Sequence, residues 1–107
     1  MNDNQDLNWE QTLFNIILHA GNARSKALAA AEKAEEGSYE EAEALLIEAE
    51  TEQVEAHKVN AKIIQMEAGG GQVPFSVLLI HSMDLLVLSW AEIDHTRQMI
   101  SLLKRVS

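Results

Sequence analysis

Residues 68–90 read AGGGQVPFSVLLIHSMDLLVLSW, and the fold turns on what that stretch becomes. The run from Val73 to Ala91 is about long enough to cross a bilayer. It carries His81, Asp84 and three serines, however, and an aspartate at the centre of a membrane helix costs roughly 2.5–3.5 kcal/mol to insert. It does not alternate apolar and polar residues as a half-buried strand does. A glycine-rich break followed by Pro74, a residue suited to a first helical turn, predicts a soluble helix that runs to Lys104 and Arg105.

Working outward from that helix, the chain divides at two breaks, EEGS around Gly37 and GGGQVP from Gly69 to Pro74. The segment before the first break, from about Leu7 to Glu36, keeps apolar or small residues at helical spacing: Leu13, Ile16, Ala20, Ala23, Ala27, Ala30, Ala34. Gly37 suits the left-handed residue that ends such a helix. The middle segment opens with Ser38 and Glu41, the capping-box spacing. It carries one apolar face through Ala42, Leu46, Ala49, Ala56 and Ile63, and a glutamate-rich face that reads as solvated. Three helices of about 30 residues, each about 45 Å long, joined by short connections, predict an all-α, antiparallel up-down-up three-helix bundle. The whole chain, 1–107, reads as one domain with a flexible tail at 1–6.

Charge and composition narrow the function. The 107 residues carry a formal net charge of −9 and no cysteine. The charge disfavours nucleic acid and anionic membrane surfaces. The lack of cysteine excludes disulfides, thiolate catalysis and zinc–sulfur sites. MNDNQDLN has no positively charged, apolar leader pattern. The expected location is cytoplasmic, without membrane insertion.

The third helix has more apolar surface than one bundle face needs. One stripe is Phe75, Leu79, Leu86, Trp90, Ile93 and Ile100. A second, at heptad spacing, is Val77, His81, Asp84, Leu88, Ala91, His95 and Leu102. A helix apolar on nearly all sides predicts self-association through the second stripe. A buried Asp84 then requires a partner, a raised pKa or a cation. On chemistry alone, a core histidine with satisfied nitrogens is the plainer account of His81. Glu92 and His95 form one Glu-x-x-His unit, but a carboxylate-bridged metal bundle needs two, and no second occurs.

Three stretches carry a resemblance: AGNARS (20–25), GSYEEAEALLIEA (37–49) followed by EAH (55–57), and SVLLIHSMDLL (76–86). Together they resemble the lactose/cellobiose-type IIA components of the bacterial sugar phosphotransferase system. The resemblance implies a homotrimer of three-helix subunits. It implies a phosphoryl-accepting histidine at His81, loaded by the phosphocarrier HPr and unloaded onto a cysteine of the IIB component. The sugar would be of the lactose, cellobiose or chitobiose kind. It also implies that Asp84 gathers on the trimer axis around a metal, for which an oxygen-rich site favours a magnesium-like divalent cation. The chain departs from the usual pattern at Met83 (for glutamine), Leu85 (for histidine) and Asn60 (for glutamine). His57 is expected to line a groove, Arg24 to form an interhelix salt bridge, and His19 and His95 to be ordinary partly buried or surface residues. The alternative is a non-catalytic or regulatory helical adaptor that binds a protein through helix three; it predicts a dispensable His81.

Overall fold

The structure, a computed structural model, describes residues 8–107. The expected tail at 1–6 lies outside the described residues. Three helices follow one another: α1 (Trp9–Glu35), α2 (Tyr39–Ala68) and α3 (Val77–Val106). They pack up-down-up into a rod of 59 × 20 × 18 Å.

Both breaks end a helix with the same device. After α1, Gly37 takes φ 85°, its N–H donates to the Ala34 carbonyl, and the Ser38 N–H donates to the Lys33 carbonyl. After α2, Gly70 takes φ 95°, while the Gly70 and Gly71 N–H groups donate to the Glu67 and Met66 carbonyls. These are paired closures around a left-handed residue that glycine adopts without steric cost.

Two local expectations are corrected. Ser38 makes no side-chain cap bond at the start of α2. It is already committed to closing α1, and its ψ of 70° is not the extended geometry a capping hydroxyl needs. Pro74 is not in the first turn of α3. The helix begins at Val77, where extended Ser76 accepts the Leu79 N–H at 3.0 Å through its hydroxyl. A serine able to cap outcompeted the proline upstream.

The core has two halves. Toward the α1–α2 turn it is built on alanine: Ala23, Ala27, Ala30, Ala34, Ala42 and Ala49, closed by Leu46, Ile93 and Ile100. Small side chains let helix axes approach closely, and α1 packs most extensively on α2. Toward the α2–α3 loop the core is larger: Leu13, Ile16, Ala56, Ile63 and Leu86, flanked by Trp9, Val59 and Leu79. α2 and α3 meet least, leaving a grooved seam between them. Among the described residues no helix is long and apolar enough to cross a membrane.

Candidate functional site

The inward face of α3 explains what its outward face is left with. Buried positions are Ser82, Leu86, Ser89, Ile93, Thr96 and Ile100. Hydroxyls alternate with aliphatics because this face lies against α1 and α2, where bulk is not needed everywhere. Ser82 Oγ donates to the Leu79 carbonyl at 2.8 Å and Ser89 Oγ contacts the Leu86 carbonyl at 2.9 Å. Gln53 of α2 closes the second of these: its Nε2 donates to the Leu86 carbonyl at 3.3 Å and its Oε1 accepts from Ser89 Oγ.

The second stripe read from the sequence is exposed along its whole length: Val77, His81, Asp84, Leu88, Ala91, His95 and Leu102. Val77 is 79% exposed, Leu88 48% and Leu102 59%, with Ile80 and Val87 beside them at 45% and 66%. Exposed apolar patches of this kind mark interaction surfaces. His81 stands on one flank of that ridge and Asp84 near its crest. Among the described residues no hydrogen bond or ion pair engages either side chain. The first stripe is only partly internal: Leu86, Ile93 and Ile100 are buried, but Phe75 and Trp90 are 80% and 52% exposed.

His57 does not join His81. It lies across the α2–α3 seam against Trp90, ring centroids 5.8 Å apart and edge-to-face at 77°. His95 is exposed. Arg24 makes the expected interhelix salt bridge, to Glu92. Among the described residues no group of three or more histidines or carboxylates converges within one chain.

Sequence reasoning missed the ties on the glutamate face of α2. Glu43 pairs with Lys104 at 2.7 Å, Glu48 with Lys26 at 2.6 Å and Glu50 with Arg97. Glu52 holds His19 at 2.8 Å and accepts from Asn22 at 3.3 Å. The hydrogen bond from His19 lowers the Glu52 pKa most; burial opposes it, and Asn22, the His19 charge and Lys26 reinforce the lowering. A carboxylate with a depressed folded pKa stabilises the fold above the ordinary glutamate range, and loses that contribution as pH falls through the folded value. Glu52→Gln is expected to cost between a few tenths and about 1 kcal/mol at neutral pH. The gap between wild type and variant should close as acid is added, in urea melts taken from pH 7 down to pH 3.

Set against known proteins, residues 11–104 match the family described as PTS system, Lactose/Cellobiose specific IIA subunit. The oligo-beta-mannoside-specific EIIA component of Bacillus subtilis is 38% identical over 95 residues, covering 89% of this chain and 86% of that protein. The crystal structure of the cellobiose-specific enzyme IIA from Bacillus anthracis superposes with a TM-score of 0.91 at 36% identity, covering 94% of this chain and 92% of the other. The chitobiose IIA of Escherichia coli, solved in solution in complex with HPr, superposes with a TM-score of 0.81 at 29% identity, covering 94% of this chain and 97% of the other.

Proposed function

Because the chain belongs to the lactose/cellobiose-specific IIA family of the sugar phosphotransferase system, and so carries phosphoryl groups, we propose that His81 is the residue that carries them. The observation that supports this is its position. His81 is exposed near the start of α3, on the flank of the apolar ridge, with no hydrogen bond or ion pair from another described side chain. A ring nitrogen that must meet two different proteins in turn has to be reachable in this way.

The chemistry suits imidazole. An ordinary histidine is largely neutral near pH 7, so a ring nitrogen has a lone pair to offer. That lone pair attacks phosphorus in phospho-HPr. The new N–P bond forms as the donor's bond to phosphorus breaks, and HPr leaves without its phosphoryl group. In the second transfer the cysteine sulfur of IIB attacks the same phosphorus, the His81 N–P bond breaks, and the neutral ring is regenerated. Such transfers depend mainly on alignment and on stabilising the charge on the phosphoryl oxygens. The HPr role is supported by the likeness to an IIA solved bound to HPr. IIB is the matching acceptor, and the transported sugar is of the lactose, cellobiose or chitobiose class.

The ridge favours a homotrimer with the α3 helices innermost. Three Asp84 carboxylates would then converge, and an all-oxygen set fits a hard divalent cation such as magnesium. When bound, the cation would offset their mutual repulsion; Asp84 is the residue that would hold it.

Two measurements test this reading. Incubation with enzyme I, HPr and phosphoenolpyruvate should add the mass of one phosphoryl group per chain, lost in acid. An unlabelled chain would favour the adaptor. Light scattering should give a trimer at micromolar concentration, with Asp84→Leu keeping the trimer and making its Tm insensitive to EDTA. A monomer would remove the ridge argument.

A further inference from the structure

We propose that the three His95 side chains of the trimer meet on its axis and bind one first-row transition-metal ion of the zinc class. The site rests on the trimeric assembly with α3 innermost proposed above, and is incomplete without all three copies. In the single chain His95 is exposed, and among the described residues no hydrogen bond or ion pair engages its ring. It borders a shallow depression shared with α1, alongside Ala27, Leu28 and Met99. Glu92 is the one other ionisable group lining that depression, and it is tied to Arg24.

The turn of α3 selects which side chains face the axis. Ile93, on the opposite side of the helix from Asp84, is buried against α1 and α2. Successive helical residues are rotated by about 100°. His95 follows Asp84 by about three turns and so points within about 20° of the same direction. Leu102 lies in line with Asp84, and Ala91 about 20° to the other side. His81, by the same rotation, stands about 60° away. A trimer that brings Asp84 to the axis therefore brings His95 there as well, about 16 Å further along. His81 stays on the flank, open to partner proteins.

The neighbouring layers leave room for an ion and shield it. A helical side chain leans toward the helix N-terminus, so the imidazole of His95 covers the turn that begins at Ala91, whose methyl leaves space at the axis. Leu88 and Leu102 close that space with aliphatic layers on either side. Three neutral imidazoles around an axis offer three nitrogen lone pairs, and three histidines with a water form a set that holds zinc. Nitrogen donors suit zinc, cobalt or nickel, whereas magnesium prefers oxygen. The two axial sites thus differ in kind: carboxylate oxygens at Asp84 for a hard cation, imidazole nitrogens at His95 for a softer one. A charge of −9 on every chain draws divalent cations to either.

The test is a cobalt(II) titration of the full chain, stripped with EDTA and dialysed into millimolar magnesium, which supplies the oxygen site at Asp84. Visible absorption reports the cobalt geometry, and light scattering on the same samples reports assembly. A trimer should take up one cobalt per three chains with the intense band of a four-coordinate nitrogen site. One zinc per trimer should bleach that band, while the magnesium present leaves it intact. Asp84→Leu should retain it. His95→Leu, which places an aliphatic side chain at the axis, should remain trimeric and lose the band. His95→Gln, polar but without an imidazole, should lose it too and keeps the test informative if the leucine variant changes assembly. A monomeric wild type would overturn the site together with the trimeric reading. A wild-type trimer without the band, a band that survives in both His95 variants, or one that follows Asp84 instead would each overturn the site and leave the trimer standing.

Discussion

His81→Ala should abolish the acid-labile mass gain expected of the wild-type chain with enzyme I, HPr and phosphoenolpyruvate. The rate of phosphoryl uptake should fall below roughly a thousandth of wild type, because the side chain proposed to form the covalent bond is gone. The exposed position of His81 makes this a clean experiment, since alanine there removes no buried contact and Tm should move little. His57→Ala is the informative control. Its ring packs on Trp90 across the seam, away from His81, so uptake should persist. Loss of labelling in His57→Ala with retention in His81→Ala would reassign the acceptor. Retained labelling in both would move it to His19 or His95.

The largest effect on stability is expected at Ile16. It is 0% exposed and belongs to the bulky half of the core with Leu13, Ile63 and Leu86. Ile16→Ala should cost about 2–5 kcal/mol, read as a lowered urea midpoint with an unchanged slope. The alanines of the other half cannot show a loss of this kind, because they are already the smallest side chains that retain a Cβ. Damage there comes from added bulk. A midpoint shift below about 1 kcal/mol for Ile16→Ala would mean that the bundle collapses onto the cavity.

Much of this molecule is legible in its sequence, for physical reasons that differ by residue. Gly37 and the glycine run at 69–71 mark helix ends because left-handed backbone excludes most other residues. The second stripe of α3 is visible because a single chain has only one inward face to offer. Arg24 is recognisable as a bridge candidate because a long cation among small side chains can reach across to a neighbouring helix. Other features depend on information that no single segment contains. Phe75 and Trp90 fit the inner stripe by periodicity, yet Phe75 precedes the first residue of α3, and Trp90 lies beyond a buried arc whose width a helix wheel does not give. The glutamates of α2 look like a solvated face, although several reach across to Lys26, His19, Arg97 and Lys104. The Gln53–Ser89 bond appears only when two helices are laid side by side in the right alignment. A signal was present: Gln53 and Asn60 recur every seven residues on α2, as Ser82, Ser89 and Thr96 do on α3. Polar residues recurring at core spacing on two facing helices invite the question of whether they meet.

That shared period of seven raises a difficulty, and the rim of the seam resolves it. Two antiparallel helices with the same repeat can slide past each other by one repeat and still mesh. Along this rim the facing residues change character from one end to the other: Glu43 with Lys104, Glu50 with Arg97, His57 with Trp90, then Ile64 and Met83 in one groove. A slip one way sets Glu50 against Trp90. A slip the other way sets His57 against Arg97. Each misalignment strands a charge, so the gradient from ionic to greasy along one edge breaks a translational degeneracy that the core itself tolerates. The helix bearing His81 is thereby held at one height, which is what the proposed hand-over of a group at His81 between two other proteins requires.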